Sequence, residues 1–380
     1  VLKSDLEIRK ANHNILIVDD VPENVELLKY LLASEGFNTF TAFSAEEARL
    51  IFVNTSIDAL LLDVNMPVQD GFSFCRELRG MDAYKLLPIL FITSIDREIG
   101  FEEAMKNGGD DFINKPFNKR ELVAKIHSVV RIKDLQDELT QEKAKFEREL
   151  IAARKVQDQL IPEKKFIWNG IKAQTLFRPF FQIGGDFVDC WADAKKLHIV
   201  IADCSGHGPS AALIGAMFKM QLFNLNQTMD LKERVDYIRS NMEIVLPEDY
   251  SITFCYAILD QELNLTYING GHPAPLVYME GETKSLEGRS PMIMGIDLHA
   301  KDEPRFIKLK PGSKLFLYTD GASEAMNESS TFLGEDGMAE LFHQSVNEGG
   351  EILKLVQDKI LKFCGNNPPM DDMAMVCIQL

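Results

Sequence analysis

Five short apolar runs, each followed by a segment of helical length and period, constrain this chain's fold more than any other feature. The runs are "NILIVDD", "FNTFTA", "ALLLDVN", "PILFITS" and "DDFINKP", spread between Asn14 and about residue 130. Such alternation predicts an α/β domain, a doubly wound five-stranded parallel sheet. The ligand site of that kind of sheet lies at the carboxyl ends of its strands. Asp19 and Asp20 close the first run, Asp63 closes the third, Thr93 ends the fourth, and Lys115 ends the fifth. Carboxylates converging on one edge repel unless a cation neutralises them, and an all-oxygen site favours Mg²⁺. A lysine and a hydroxyl facing the same point suit a transferred phosphoryl group.

With those five positions in place, residues 13–130 resemble a response-regulator receiver domain. The resemblance implies that Asp63 accepts phosphate from a sensor histidine kinase. Asp20 leads in holding Mg²⁺, with Asp19 and Asp63 beside it and the carbonyl of Asn65 completing the shell. Thr93 contacts the phosphoryl group, Lys115 pairs with it, and Phe112 occupies the aromatic switch position.

The chain then runs without glycine or proline from Asn118 to Pro162. Ile132, Leu139, Phe146, Ala153 and Leu160 recur every seven residues, while Leu135 and Val156 half-fill a second row broken by Glu142 and Glu149. This is an imperfect heptad stripe on a long helix. It predicts a coiled-coil linker over 131–162, continuous with the last receiver helix, that pairs with a second copy as a homodimer.

Beyond the linker, "QIGGDFVDCW" raises the prospect of a cyclic-dinucleotide synthase, whose signature is Gly-Gly-Asp-Glu-Phe. The glutamate is missing, since Phe187 follows Asp186, and no Arg-x-x-Asp inhibitory element lies just upstream. The rest is strand-rich, in "KLHIVIADCS", "ITFCYAILD", "LNLTYING", "APLVYME", "SKLFLYTDG" and "MAMVCIQL", with helical segments near 209–225 and 231–245. The pattern predicts an α+β sandwich of two antiparallel sheets flanked by helices. Asp186, Asp203, Asp320, Asp371 and Asp372 stand at strand–loop junctions, mostly beside glycine. Separated carboxylates without a histidine–cysteine cluster are ligands for Mg²⁺ or Mn²⁺.

The motifs "IGGDFVD", "ADCSGHGPSAAL", "NGGHPAPLV", "YTDGASEAMN" and "DDMAMV" cover residues 163–380 in family order. That segment resembles the metal-dependent protein phosphatases of the protein phosphatase 2C type, in the bacterial branch that serves sporulation and stress sigma-factor switches. The resemblance implies two Mn²⁺ or Mg²⁺ ions, with Asp203 bridging them and Asp320 and Asp371 completing the first site. Asp186 and the carbonyl of Cys204 serve the second, Asp372 lies in or beside the shell, and Asp189 is a further acid nearby. His207 is the nearest group to protonate a leaving oxygen; His272 reads as structural.

The formal charge of −17 argues against nucleic acid as a partner. The six cysteines form no CxxC pair and read as reduced, buried thiols. Apolar runs of about ten residues fall short of the ~20 that a membrane helix needs. The expectation is a cytoplasmic response regulator, made of residues 1–12 as an extension, 13–130 as receiver, the linker, and 163–380 as phosphatase. Its output would be metal-dependent hydrolysis of phosphoserine or phosphothreonine on a protein, an anti-sigma-factor antagonist by resemblance. The alternative is a catalytically silent, phosphorylation-gated adaptor that binds a sigma-factor regulator.

Overall fold

A computed structural model describes residues 13–94, 97–161, 165–290, 294–295, 303–367 and 369–380. The extension expected over 1–12 lies outside the described residues, as does Pro162 at the end of the expected linker. The described residues up to Lys145 form one compact unit and those from Phe146 another.

In the first unit, five strands alternate with helices: β1 (Asn14–Val18), α1 (Pro22–Ala33), β2 (Asn38–Ala42), α2 (Ala45–Asn54), β3 (Ala59–Asp63), α3 (Gly71–Arg79), β4 (Ile89–Thr93), α4 (Arg97–Lys106) and β5 (Asp111–Asn114). All four pairings are parallel, in the order β2-β1-β3-β4-β5. Residues of β3 and β4 are buried throughout, as a sheet covered on both faces requires. Alternate residues feed two cores, Leu60 and Leu62 on one face and Ala59 and Leu61 on the other. The strand order reverses between β1 and β3, which opens a crevice at their carboxyl ends. Asp70 starts α3 by accepting the Ser73 N–H at 2.7 Å, which ends the β3–α3 loop squarely.

Helix α5 spans Lys119–Gln157, 39 residues or about 58 Å. Leu122, Ile126, Val129 and Val130 pack into the receiver core. Further along, Ile132, Leu135, Leu139, Phe146 and Val156 are all at least half exposed. The helix stops three residues before Leu160, the last heptad position. The Gln159 N–H bonds to Val156 and the Leu160 N–H to Gln157, and these tight turns replace the α pattern.

The second unit has two six-stranded sheets. One carries β6 (Lys165–Trp168), β7 (Ile171–Arg178), β12 (Leu276–Met279), β13 (Glu282–Ser285), β16 (Lys314–Tyr318) and β17 (Met373–Gln379), in the order β13-β12-β16-β17-β7-β6. The other carries β8 (Phe187–Ala192), β9 (Lys196–Cys204), β10 (Ile252–Asp260), β11 (Asn264–Gly270), β14 (Arg289–Ser290) and β15 (Arg305–Lys308), in the order β14-β11-β10-β9-β8 with β15 also on β11. Every pairing is antiparallel except the short β11–β14 contact. The core between the sheets joins Ile199, Ile201 and Cys255 to Leu315, Leu317 and Val376.

Helices α6 (Pro209–Phe223) and α7 (Leu231–Val245) cover the outer face of the β8–β11 sheet. A capping box of Asp230 and Glu233 starts α7. The short α8 (Asp320–Ser323), with α9 (Gly334–Glu348) and α10 (Ile352–Cys364), covers the outer face of the other sheet. The last two are helices beyond the two long segments expected from the sequence. All six cysteines are buried and free. Among the described residues no helix is long and apolar enough to cross a membrane.

Candidate functional site

In the first unit the strand ends bring Asp19, Asp20 and Asp63 together, their carboxylate oxygens within 4.8 Å of one another. Asp19 is fully buried and oriented locally: the Val21 N–H and the Asn24 amide both donate to it at 3.0 Å. Asp20, beside it, remains half-exposed. The Lys115 ammonium bridges Asp19 at 2.8 Å and Asp63 at 2.5 Å. Asp63 also accepts the Asn65 N–H at 2.9 Å. Burial raises the Asp63 pKa, against the opposing pull of Lys115. Burial pulls Lys115 down, but its bonds to Asp19 and Asp63 outweigh that and leave it raised. Thr93 is buried at the end of β4, and Phe112 lies inward in the core beneath β4 and β5. The three acids and one cation suit a hard divalent ion beside a phosphoryl acceptor.

In the second unit the acids gather at the ends of β8, β9, β16 and β17. Asp186 is buried; its carboxylate accepts the Thr319 hydroxyl at 2.6 Å. Asp186 and Asp203 lie close enough for each carboxyl to act on the other. Burial, then repulsion from Asp320 and Asp371, pushes Asp203 up to about 7. Burial and the Asp203 charge drive Asp186 well above the carboxylate range. Among the described residues no lysine or arginine pairs with Asp186, Asp203, Asp371 or Asp372. Acids crowded together in this way fit a divalent ion, which would neutralise their repulsion.

Asp372 has a second duty. Its two oxygens accept the Phe180 N–H at 2.7 Å and the Gly185 N–H at 2.5 Å, which staples the loop leading to Asp186. Asp371 is exposed, and one of its oxygens accepts the Asp372 N–H at 2.8 Å. The two glycines before Asp186 are forced by close approach. A Cβ on Gly184 would lie 2.4 Å from the Asp372 carboxylate, and one on Gly185 would lie 2.9 Å from the Cys204 carbonyl oxygen. That second contact sets the Cys204 carbonyl beside the Asp186 loop.

Other acids and histidines fall elsewhere. Asp189 points into the layer between the sheet and α6, where it forms a buried ion pair with Lys219. His207 is exposed at the rim, its ring 5.1 Å from that of Phe181. His272 is buried and bonds Thr253 at 2.9 Å.

Two contributors were missed by sequence reasoning. Thr319 stands beside Asp320 within a quoted motif, so its hydroxyl was available to notice. Gln157, the last residue of α5, has an amide that grips both backbone groups of one residue. Its Nε2 donates to the Gly184 carbonyl at 2.7 Å, and its Oε1 accepts the Gly184 N–H at 3.3 Å. No spacing rule marks such a contact across 27 residues.

Residues 15–127 match the response regulator receiver domain family, and residues 193–380 match the family described as Stage II sporulation protein E (SpoIIE). The transcriptional regulatory protein CpxR of Klebsiella pneumoniae subsp. pneumoniae is 41% identical over 119 residues, 31% of this chain and 50% of that protein. The response regulator PleD of Caulobacter vibrioides is 35% identical over 130 residues, 34% of this chain and 29% of its own length. The chain thus spans half or less of the length of these relatives. The SiaA-PP2C domain of Pseudomonas aeruginosa superposes with a TM-score of 0.55 at 18% identity, covering 63% of this chain and 98% of that one. That likeness establishes the sandwich fold of the second unit. The chain thus carries a response regulator receiver domain over residues 15–127 and a SpoIIE-type phosphatase domain over residues 193–380.

Proposed function

We propose that this chain is a phosphorylation-controlled protein phosphatase that hydrolyses phosphoserine or phosphothreonine on a protein. The observation that carries the reading is the convergence of Asp186, Asp203, Asp320 and Asp371, whose mutual repulsion together with burial raises the pKa of Asp186 and Asp203. Two divalent ions held there would supply a water of lowered pKa and neutralise the phosphoryl oxygens. Asp203 would serve both ions, Asp320 and Asp371 would complete one site, and Asp186 with the Cys204 carbonyl would serve the other. The chain's own part is to hold those carboxylates against their repulsion, through Thr319 on Asp186 and Asp372 on the preceding loop.

A sensor histidine kinase would phosphorylate Asp63, with Mg²⁺ at Asp19, Asp20 and the Asn65 carbonyl. Thr93 and Lys115 would engage the phosphoryl group as Phe112 responds. The SpoIIE membership favours, as substrate, an anti-sigma-factor antagonist in a partner-switching pathway. The exposed apolar row on α5 supports pairing with a second copy.

The test is Mn²⁺-dependent hydrolysis of p-nitrophenyl phosphate by the full chain, with and without beryllofluoride as a phospho-Asp63 mimic. Turnover that disappears in Asp203→Ala supports the enzyme, and the beryllofluoride effect gives the sign of control. No turnover there or on any phosphorylated protein sinks this reading in favour of the adaptor.

A further inference from the structure

The loop that carries Asp186 begins with an aromatic pair the phosphatase chemistry does not use. Phe180 and Phe181 are 41% and 50% exposed, and their rings meet edge to face at 4.6 Å. Exposed apolar side chains are ordinary singly, but two in contact make a small apolar patch. Their place is fixed. The Phe180 N–H is held by Asp372, and the His207 ring braces Phe181 from the far side. This patch therefore forms a lip beside Asp372, whose carboxylate holds the Phe180 N–H.

A small cavity of about 120 Å³ opens beside it, lined by Arg178, Pro179, Phe180, Pro369, Asp371 and Met373. Four of these six are apolar, Asp371 belongs to the candidate metal site, and Arg178 forms no ion pair with any described residue. An apolar cavity of about 150 Å³ holds a benzene ring, so this space is of the order of one aliphatic side chain. Consecutive residues of an extended chain are about 3.5 Å apart. A phosphorylated residue seated on the carboxylates then has its immediate neighbours within reach of this lip and cavity, which share Asp371 with the site.

We propose that Phe180 and Phe181, with the adjoining cavity, select phosphoprotein substrates that carry an aliphatic side chain next to the phosphorylated residue. The inference rests on the phosphatase reading and adds a specificity element to it. An apolar contact of this size is worth about 10–200-fold in kcat/KM. The occupant is a side chain of the substrate, since the patch shares Asp371 with the site where the phosphate must sit.

The experiment compares two phosphoserine peptides that differ only in having leucine or aspartate on both sides of the phosphoserine. Full-length parent, Phe181→Ala, Phe181→Leu and Phe180→Ala are assayed with Mn²⁺. The parent is expected to favour the leucine peptide about tenfold or more, mostly through KM. Phe181→Ala is expected to cut that preference to about threefold or less. Phe181→Leu, which keeps an apolar surface, should retain most of it. Equal rates on the two peptides, or a preference that both alanine variants leave intact, would overturn the proposal. Parent hydrolysis of p-nitrophenyl phosphate separates the two levels. Turnover there with a flat peptide profile removes only the specificity element, and no turnover on any substrate removes the phosphatase reading with it.

Discussion

Asp189 and Asp203 lie on neighbouring strands, yet the fold gives them opposite fates. Asp189 faces outward from the sheet and meets Lys219 of α6, and both are nearly inaccessible to water. Removing one partner of such a pair leaves an uncompensated buried charge, whereas replacing both with apolar groups is often close to neutral. Lys219→Met should therefore cost about 3–5 kcal/mol in denaturant unfolding, and Lys219→Met with Asp189→Leu much less. Equal losses in both variants would mean that packing, not charge, dominates the site. Asp203 is held near acids instead, and its pKa rises to about 7 through burial and repulsion from Asp320 and Asp371. A carboxyl raised on folding favours the folded state only while it is protonated. Stability of the ion-free protein should fall as pH rises from about 4 to about 7, by a few kcal/mol at most. The readout is the melting temperature in chelator between pH 5 and pH 8. Asp203→Asn should flatten the decline and Mn²⁺ should reverse it at pH 8; a melting temperature that rises over this range in the ion-free parent would contradict the assignment.

At the scale of elements, the end of α5 is as informative as its exposed row. Gln157 closes the helix and clamps Gly184 with two hydrogen bonds, two residues before Asp186. Arg154, one turn earlier, stacks over Phe177 at 5.2 Å and pairs with Asp158. The helix terminus and the acid-bearing loop thus move as one piece. Two hydrogen bonds at about 1 kcal/mol each bound the effect of losing them. Gln157→Ala should weaken Mn²⁺ binding about tenfold by isothermal titration, with kcat at saturating Mn²⁺ falling less than that. Unchanged Mn²⁺ affinity would show that Asp372 alone holds the loop. This contact also marks where the sequence stopped being legible. Periodicity announced the β/α alternation of the first unit, because each strand there is a continuous buried run with its chemistry at one end. It also exposed α6 and α7, but α9 and α10 escaped, as did short edge strands such as β13 and β14, whose few residues carry no usable period. The acids of the second site were visible through their glycine neighbours and family order. Their division of labour was not, since only tertiary contacts turn Asp372 into a loop staple and withdraw Asp189 to Lys219.

For the whole molecule, receiver and sandwich must communicate if phosphorylation controls the output, and thermodynamics makes that requirement reciprocal. If occupancy of Asp63 changes the affinity of the carboxylate site for its ions by some factor, ion loading must change the receiver's affinity for the phosphoryl mimic by the same factor. Asp203→Ala removes the carboxylate proposed to hold both ions and leaves the Asp19, Asp20 and Asp63 cluster untouched, so it isolates the receiver's behaviour. Beryllofluoride binding at saturating Mg²⁺ should therefore differ between the parent and Asp203→Ala. Couplings of this kind typically amount to about 5–150-fold. The direction of the difference supplies the sign of control without any substrate: tighter binding in the parent means that phosphorylation favours the ion-loaded phosphatase, and weaker binding means that it opposes it. Because α5 is one unbroken helix from Lys119 to Gln157, a glycine pair at exposed positions such as Gln141 and Glu142 should reduce the ratio toward one while each site keeps its own affinity. A ratio of one in the parent itself would mean that the two sites do not sense each other through ion binding, and that any control by Asp63 acts on substrate access or assembly instead.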